Sequence, residues 1–250
     1  MPPFETQPIQ VRYLKAACSS CSVLELCLPI GLSHHEVERL DTLILQRVKV
    51  RKGHALYHAG DPLHSLYAVR LGFFKTSVLS VDGREQVTGF QMAGEILGLD
   101  AISTDRHACS AIALEDCEVC PIPFAQLQQL SQALPSLQHN LHKILSREIV
   151  RDHGMLLLMG NMSSDERLAA FLLNLSQRLS LRGYSSRALV LRMRREEIGS
   201  YLGLRLETIC RGFTHLRDQG LIHIDGKHVE ILDPEGLKRR VTGCQNPGSE

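Results

Sequence analysis

Short stretches in which apolar and polar residues alternate occupy most of the chain between about Val48 and Ile122. A period of two is typical of strands that bury one face, because successive side chains point to opposite sides of a sheet. Gly-Asp, Leu-Gly and Asp-Gly pairs separate these stretches at positions 60, 71 and 82. Evenly spaced short strands with such turns predict an antiparallel barrel or jelly roll. The predicted strands are Ser65–Val69, Phe73–Leu79, Glu85–Phe90, Cys109–Ala113 and Cys117–Ile122.

The period changes to that of a helix on both sides of this region. Upstream, Ser33 and Glu36 have the spacing of a capping box, which predicts the start of a short helix. Downstream, Phe124–Leu134 has the pattern of a short amphipathic helix. Pro135 then stands where proline can open a second helix, which we expect to continue to about Met159.

The second of these downstream helices has a seam typical of a parallel helix pair. Its members follow alternating steps of three and four residues, and most of them are apolar. We therefore expect a homodimer with an interface made by His142, Leu145, Ile149, Asp152, Leu156 and Met159. Asp152 is the exception, because two identical carboxylates across a dimer axis repel each other unless they are solvated or protonated. Either the dimer is poised to form or separate in response to a signal, or the Asp152 side chain is turned outward to water.

Three further helices follow, and the last two have the proportions of a helix-turn-helix motif. They are predicted at Ser164–Leu181, Arg194–Leu202 and Arg205–Gln219, with Gly203 in the turn. Apolar residues of the final helix form a stripe that predicts its buried side, at Leu206, Ile209, Phe213 and Leu216. The opposite side presents three candidate base-reading residues, Glu207, Cys210 and Arg211.

The chemistry of this exposed side suits sequence-specific recognition of double-stranded DNA. Arg211 can donate two parallel hydrogen bonds to guanine, and Glu207 can accept one from the exocyclic amine of cytosine. A carboxylate that faces the phosphates of DNA is unfavourable without such a partner. The alternative is an ordinary exposed helix face on which Glu207 and Arg211 form an i,i+4 ion pair.

A hairpin signal after the last helix completes the domain organisation. Leu221–Ile224 and Val229–Leu232 flank Asp225-Gly226, which predicts the wing of a winged helix. The predicted fold class is therefore α+β. The chain divides into an N-terminal cysteine segment, a β-roll, a dimerisation helix, a winged helix-turn-helix domain and a disordered tail, at residues 1–30, 31–133, 134–160, 161–240 and 241–250.

Composition and charge narrow the function classes. The formal net charge is +1, but eleven Lys or Arg stand against eight Asp or Glu between Arg187 and Arg240, so this more basic part suits a polyanionic partner. No secretory leader or long apolar run stands out, so we expect a cytoplasmic protein without membrane contact. The chain has no GxSxG, HExxH or phosphate-loop motif, so we do not expect an enzyme.

The eight cysteines carry the remaining chemistry. In a cytoplasmic chain they favour metal binding or redox sensing over disulfides. Cys18, Cys21 and Cys27 lie within ten residues, and thiolates are ligands for both zinc and iron-sulfur clusters. Alternatively, the three are reduced cysteines buried as small apolar side chains. Three thiolates complete neither kind of metal site, so a fourth ligand must come from Cys109, Cys117, Cys120, Cys210 or Cys244.

The order of these parts resembles the oxygen-responsive FNR branch of the CRP/FNR transcription regulators, and the resemblance extends from Cys18 to Leu232. Its most specific motifs are the spacing C-x2-C-x5-C-x-P, which ends at Pro29, and the segments GDPLHSLYAVRLG, EQVTGF, VCPIP, DERLAAFLLNLSQR and IGSYLGLRLETICR. The resemblance implies a [4Fe-4S] cluster. It also implies the cluster ligands, with the fourth identified by the VCPIP segment: Cys18, Cys21, Cys27 and Cys120.

The resemblance has further implications for function. In the family the intact cluster supports the dimer, and oxygen converts or destroys it, so that the dimer and its DNA affinity are lost. Asp152 would then supply the repulsion that keeps the cluster-free dimer weak. The implied target is a palindromic site with TTGAT half-sites. The implied output is anaerobic transcription control through contacts with RNA polymerase, including the loop Ser80–Arg84.

Two residues depart from the family pattern, and two alternative regulators compete with it. Cys210, a weaker hydrogen-bond donor, stands where serine is usual, and His142 replaces an apolar seam residue. One alternative is a cyclic-nucleotide-gated relative, with Glu95 at the ribose position and Arg106 near the phosphate, but the Arg-Ser/Thr pair that binds the phosphate is missing. The other is a zinc-stabilised regulator, because four thiolates also suit zinc.

Overall fold

The computed structural model describes residues 17–44, 46–80 and 82–242. Its N-terminal half is a β-roll of two four-stranded sheets, flanked by helices. In chain order the elements of this half are α1 (His34–Asp41), β1 (Val48–Val50), β2 (Ala55–Tyr57), β3 (Ser65–Leu71), β4 (Phe73–Leu79), β5 (Glu85–Met92), β6 (Ile96–Leu97), β7 (Ser110–Ala113), β8 (Cys117–Pro123), α2 (Phe124–Ala133) and α3 (Pro135–Asn161).

Both sheets of the β-roll are antiparallel, in the orders β1-β8-β3-β6 and β2-β7-β4-β5. This architecture confirms the predicted fold class. β4 has its predicted bounds, while β3, β5 and β8 extend one or two residues past their predicted ends and β7 begins one residue later. β1, β2 and β6 are only two or three residues long, too short for a period of two to predict them.

The helices of this half begin where their capping residues predict. At α1 the backbone N–H of Ser33 donates to the Glu36 carboxylate at 2.8 Å, and the N–H of Glu36 donates to Ser33 Oγ at 3.4 Å, which confirms the capping box. α3 has Pro135 at its first position, where a missing N–H costs no helix bond. It then continues for 27 residues, as the long helix of the prediction requires.

The C-terminal half is a winged helix-turn-helix domain, as predicted. Its elements are α4 (Ser164–Ser180), β9 (Ala188–Val190), α5 (Arg195–Leu202), α6 (Leu206–Asp218), β10 (Ile222–Asp225), β11 (His228–Ile231) and α7 (Pro234–Thr242). The wing is a three-stranded sheet in the order β10-β11-β9. Its hairpin differs by one residue from the prediction: Asp225 pairs with His228, so the two turn residues are Gly226 and Lys227.

Three further details of this half correct the sequence-based expectations. Ser163, rather than Ser164, caps α4. α7 continues through Val241 and Thr242, the first two residues of the predicted disordered tail, and the rest of that tail lies outside the described residues. Leu206 is 38% exposed instead of buried, because it is the first residue of α6 and extends past the surface on which the helix packs. The buried side of α6 consists of Ile209, Gly212, Phe213 and Leu216.

The two halves share a core. The cluster of buried side chains that fills the winged domain also contains Phe73, Val87, Phe90 and other residues of the β-roll. Phe90 meets Phe171 and Tyr201 edge to face, with ring centroids 6.1 and 5.1 Å away. In this structure the winged domain therefore packs directly on the face of β5.

Candidate functional site

Four cysteines from two distant parts of the chain line one cavity. Cys18 and Cys21 precede the 3-10 turn Leu24–Leu26, Cys27 follows it, and Cys120 lies on β8. The cavity contains about 370 Å³ of empty space, including space open to solvent, and most of its other lining is apolar. The cavity thus collects the four cysteines that the resemblance implies as ligands.

The position of Cys120 separates it from the other candidate fourth ligands. Cys117 lies three positions earlier on the same strand and therefore points to the other face, where its thiol donates to the Phe73 carbonyl at 3.2 Å. The Cys109 thiol donates to the Asp100 carboxylate at 3.3 Å in that same core. Cys210 is exposed on α6, and Cys244 lies outside the described residues.

Burial favours the neutral form of Cys18, Cys27 and Cys120. Burial, and to a smaller extent the nearby Cys27, Asp41, Cys120 and Cys21, raises the pKa of Cys18 far above its ordinary value. Burial also raises the pKa of Cys27 to about 12 and that of Cys120 to about 11. A metal must therefore displace protons from these groups in order to bind them.

The donor set fits a soft metal centre, although the ligands are not yet gathered around one point. Four thiols in an apolar cavity are the donors that an iron-sulfur cluster or zinc requires. Over residues 17–44, 46–80 and 82–242, no three His, Cys, Asp or Glu side chains are arranged closely enough to hold a metal ion. Binding would therefore require the cysteine segment to close around its ligand.

Two polar side chains that the sequence analysis missed hold the cysteine segment against the helices. The Asp41 carboxylate of α1 accepts the backbone N–H of Cys18 and the hydroxyl of Ser19. Asn140 of α3 is 5% exposed, and its amide donates to the carbonyl oxygens of Leu28 at 3.1 Å and Ile30 at 2.7 Å. α3 itself thus anchors the chain next to Cys27.

The predicted dimer seam lies on an exposed side of α3. Ile149 is 56% and Leu156 is 66% exposed, and Val150 and Leu157 beside them are equally open. His142 and Asp152 are exposed, whereas Leu145 and Met159 are half-buried. A row of exposed apolar side chains on a long helix is what a helix pair requires, and Asp152 interrupts that row.

The three candidate base-reading residues share the open side of α6. Glu207, Cys210 and Arg211 are all exposed, as predicted from the stripe on the opposite side. Both Glu207 and Arg211 are within the described residues, and no ion pair joins them. Their hydrogen-bonding groups are therefore available to DNA.

Close packing fixes the orientation of α6 against its neighbours. A Cβ on Gly212 would lie 3.0 Å from Leu168 Cδ2 of α4, so glycine permits the close approach of the two helices. The guanidinium of Arg195 lies 3.4 Å above the centre of the Phe213 ring, an arrangement typical of cation–π contacts. His215 Nδ1 contacts the Asp165 carboxylate of α4. These contacts were not predicted, because they join residues far apart in the sequence.

The residues that a cyclic nucleotide would need are engaged within the protein. The Glu95 carboxylate accepts hydrogen bonds from Arg178 of α4 and from Arg182, two residues past the end of that helix. Arg106 Nη1 donates to the Gly60 carbonyl at 2.7 Å. Neither side chain is free to bind a ribose or a phosphate in this conformation.

Comparisons with known proteins match both halves of the chain. A Crp-like helix-turn-helix domain matches residues 166–240, and a cyclic nucleotide-binding domain matches residues 47–133. The chain is 49% identical over 226 residues to the transcriptional regulatory protein Btr of Bordetella pertussis. This alignment covers 90% of this chain and 93% of that protein. It is 43% identical over 220 residues to the fumarate and nitrate reduction regulatory protein of Yersinia pestis, covering 88% of each.

Solved structures resemble the same architecture. FixK2 from Bradyrhizobium japonicum matches with a TM-score of 0.72 and 28% identity, over 78% of this chain and 96% of that one. Within the described residues, every helix is too short or too polar to cross a membrane.

Proposed function

Since this chain belongs to the FNR-type branch of the CRP/FNR transcription regulators, we propose that it senses oxygen through a [4Fe-4S] cluster and controls anaerobic gene expression. The helix-turn-helix domain makes it a DNA-binding regulator. The observation that supports the cluster is the convergence of Cys18, Cys21, Cys27 and Cys120 on one apolar cavity. When bound there, the cluster supplies an oxygen-reactive iron-sulfur centre.

The chain's own residues prepare the cavity for this ligand. The thiols of Cys27 and Cys120 are buried and protonated, so they must lose protons when they become ligands. Leu24, Leu28 and Ile122 supply apolar lining beside the thiols. Asp41 and Asn140 tie the segment to α1 and α3, so closing it changes the setting of the dimer helix.

We propose that α3 pairs with its counterpart in a second copy along the seam defined above. The exposed Ile149 and Leu156 supply the apolar contact, while the two Asp152 carboxylates oppose it. A pair balanced in this way is weak by itself. A small change in the setting of α3 is then enough to favour or to prevent the dimer.

The dimer would place two copies of α6 on a palindromic DNA site. Half-sites would be about one helical turn apart, as two-fold symmetry requires. Arg211 and Glu207 would read the TTGAT-type half-site, with Cys210 contributing a weaker contact than serine does. The loop Ser80–Arg84 is the proposed contact for RNA polymerase, and within it Arg84 pairs with Asp82 at 2.6 Å.

The test is to purify the protein without oxygen and to measure its iron, acid-labile sulfide, zinc and visible absorption before and after exposure to air. A brown protein that contains iron and sulfide, and whose absorption changes in air, would support the proposal. A colourless protein that contains zinc would leave the DNA-binding function intact but would refute oxygen sensing. The second outcome would favour a zinc-stabilised regulator, since the same four thiols suit zinc.

A further inference from the structure

The turn between β5 and β6 contacts the cysteine segment through a glycine. Gly94 has a φ of +89°, and a Cβ at this position would lie 2.7 Å from Leu26 Cβ. Leu26 directly precedes Cys27. Because any larger residue would displace either the turn or the 3-10 turn that carries Leu26, glycine permits a close contact through which a shift of one segment can reach the other.

A second connection joins the same turn to the wall of the cysteine cavity. The N–H of Gly94 donates to the Val69 carbonyl at 2.7 Å, and the N–H of Val69 donates to the Glu95 carbonyl at 2.9 Å. Val69 lines the cavity, and its neighbour Ala68 pairs across the strands with Cys120. The Glu95 carbonyl thus accepts a hydrogen bond from the wall of the cavity, and its neighbour Gly94 contacts the segment that carries Cys27.

The side chain of Glu95 points the other way, into the C-terminal half. It is 12% exposed, and its carboxylate lies 2.6 Å from Nη2 of Arg178 on α4 and 2.8 Å from Nη2 of Arg182, just past the end of α4. Arg151 Nη2 of α3 lies 3.6 Å away. Burial opposes ionisation of Glu95, but the three arginines outweigh it and hold the pKa of its carboxyl below the ordinary value. The carboxylate is therefore charged and is bound from two helices at once.

Arg178 and Arg182 also donate hydrogen bonds to backbone carbonyls of β5 and of this turn. Arg182 Nε donates to the Ala93 carbonyl at 2.6 Å, and Arg178 Nη2 donates to the Phe90 carbonyl at 2.5 Å. α4, which carries Arg178 and ends two residues before Arg182, packs against α6, and Arg151 directly precedes Asp152 on α3. One residue therefore connects the cysteine site to both elements whose position sets DNA binding.

We propose that Glu95 is the positioning residue that transmits the ligand state of the cysteine site to α3 and α4. The inference rests on the proposed function, because it requires a ligand that closes the cysteine segment. When that segment shifts, Leu26 and Val69 move the Glu95 backbone, and the short bonds to Arg178 and Arg182 must lengthen or reform. Breaking a buried charge network of this kind is unfavourable, so the helices follow the turn.

The experiment compares the protein with two variants, Glu95→Gln and Glu115→Gln. Glu115 is the matched control, since it also joins the β-roll to the winged domain, through Arg192 at 3.2 Å, but it is more exposed and does not line the cysteine cavity. For each protein we would measure iron content and the affinity for one palindromic duplex, in the iron-loaded and the iron-free form. The ratio of the two affinities is the coupling between the sites.

We expect Glu95→Gln to keep its iron content and to lose about fivefold or more of this affinity ratio, while Glu115→Gln keeps the ratio of the unmodified protein. Hydrogen exchange gives an independent readout: iron loading should slow exchange in α4 in the unmodified protein and in Glu115→Gln, but not in Glu95→Gln. If Glu95→Gln does not fold, Arg178→Lys and Arg182→Lys keep the positive charge, lose the forked hydrogen bonds and should each reduce the ratio.

Two negative outcomes have different meanings. If the unmodified protein binds no iron, the proposed function fails and this inference fails with it. If it binds iron and shows coupling, but Glu95→Gln or the two lysine variants retain the full ratio, the proposed function stands and the role of Glu95 is refuted.

Discussion

Helix α6 packs against α4 at Gly212. The Arg195 guanidinium lies over the Phe213 ring of α6, and His215 of α6 contacts Asp165 of α4. The cysteine segment has a single three-residue 3-10 turn and is held by hydrogen bonds that it donates to Asp41 and accepts from Asn140. The helix that reads DNA is thus complete without a ligand, whereas the segment that would bind the cluster is not. We therefore expect the proposed ligand to act by closing the cysteine segment, not by building the DNA-binding surface.

The largest effect is expected from Cys120→Ala, which tests whether the cavity is the input site. Removing this thiol should reduce the iron content of anaerobically purified protein to background, because three cysteines do not complete a four-cysteine cluster. Cys117→Ala is the matched control, since Cys117 lies on the same strand but faces the other core. The iron and sulfide contents of both purified variants are measured and compared with those of the unmodified protein. Full iron in Cys120→Ala, or its loss in Cys117→Ala, would contradict the assignment.

The next largest effect is expected at the proposed DNA-binding surface of α6. Arg211→Ala should weaken specific DNA binding by about 1–3 kcal/mol, because a bidentate contact to guanine is lost. Arg217→Ala is the control: Arg217 is exposed on the last turn of the same helix and pairs with Asp218 at 2.8 Å. Competition between a palindromic and a scrambled duplex measures the difference. An Arg211→Ala protein with unchanged preference for the palindrome would remove Arg211 from the reading surface.

Local sequence patterns predicted those parts of both regions that depend on neighbours along the chain. The Leu71-Gly72 turn before β4 and the proline that opens α3 each act within a few residues, so the bounds at those points were predicted correctly. Leu206 was assigned wrongly because helical periodicity does not tell where the packing surface ends. β9 was missed because a three-residue strand carries too little pattern.

The candidate site depended more on contacts across the chain. Composition and spacing left five cysteines open as the fourth ligand, and the family resemblance selected Cys120. Of the four of these cysteines that the structure describes, Cys120 is the one that lines the cavity with Cys27. Glu95 meets Arg178 and Arg182 across 83 and 87 residues, and Asn140 binds Leu28 across 112. No local pattern could predict such pairs, because they exist only once distant segments of the chain pack together.

The rigidity of the proposed DNA-binding surface can be tested at the turn between α5 and α6. Gly203 has a φ of +65° in the left-handed region, and a Cβ there would find its nearest neighbours 3.8 Å away. Gly203→Ala should therefore destabilise the fold by about 1–2 kcal/mol for conformational reasons and not through a clash. Gly154→Ala in α3 is the control and should stabilise by about 1 kcal/mol, since it is an open helical position. Urea unfolding measures both, and equal stabilities would contradict the expectation.

The smallest effect is expected at the proposed dimer axis, through which the cysteine segment would influence DNA binding by α6. Asp152 is exposed among exposed apolar residues of α3, so two copies of the carboxylate would face each other in the paired helices. Like charges about 4 Å apart in water cost about 1 kcal/mol, so Asp152→Ala should tighten the cluster-free dimer about fivefold. His153→Ala, an exposed neighbour just off the seam, should leave it unchanged. Sedimentation in air measures the dimer, and added salt should shrink the difference because it screens the repulsion. A monomeric Asp152→Ala protein would mean that apolar contact, not charge, limits pairing, and the signal from the cysteine site would then have to act on the geometry of α3.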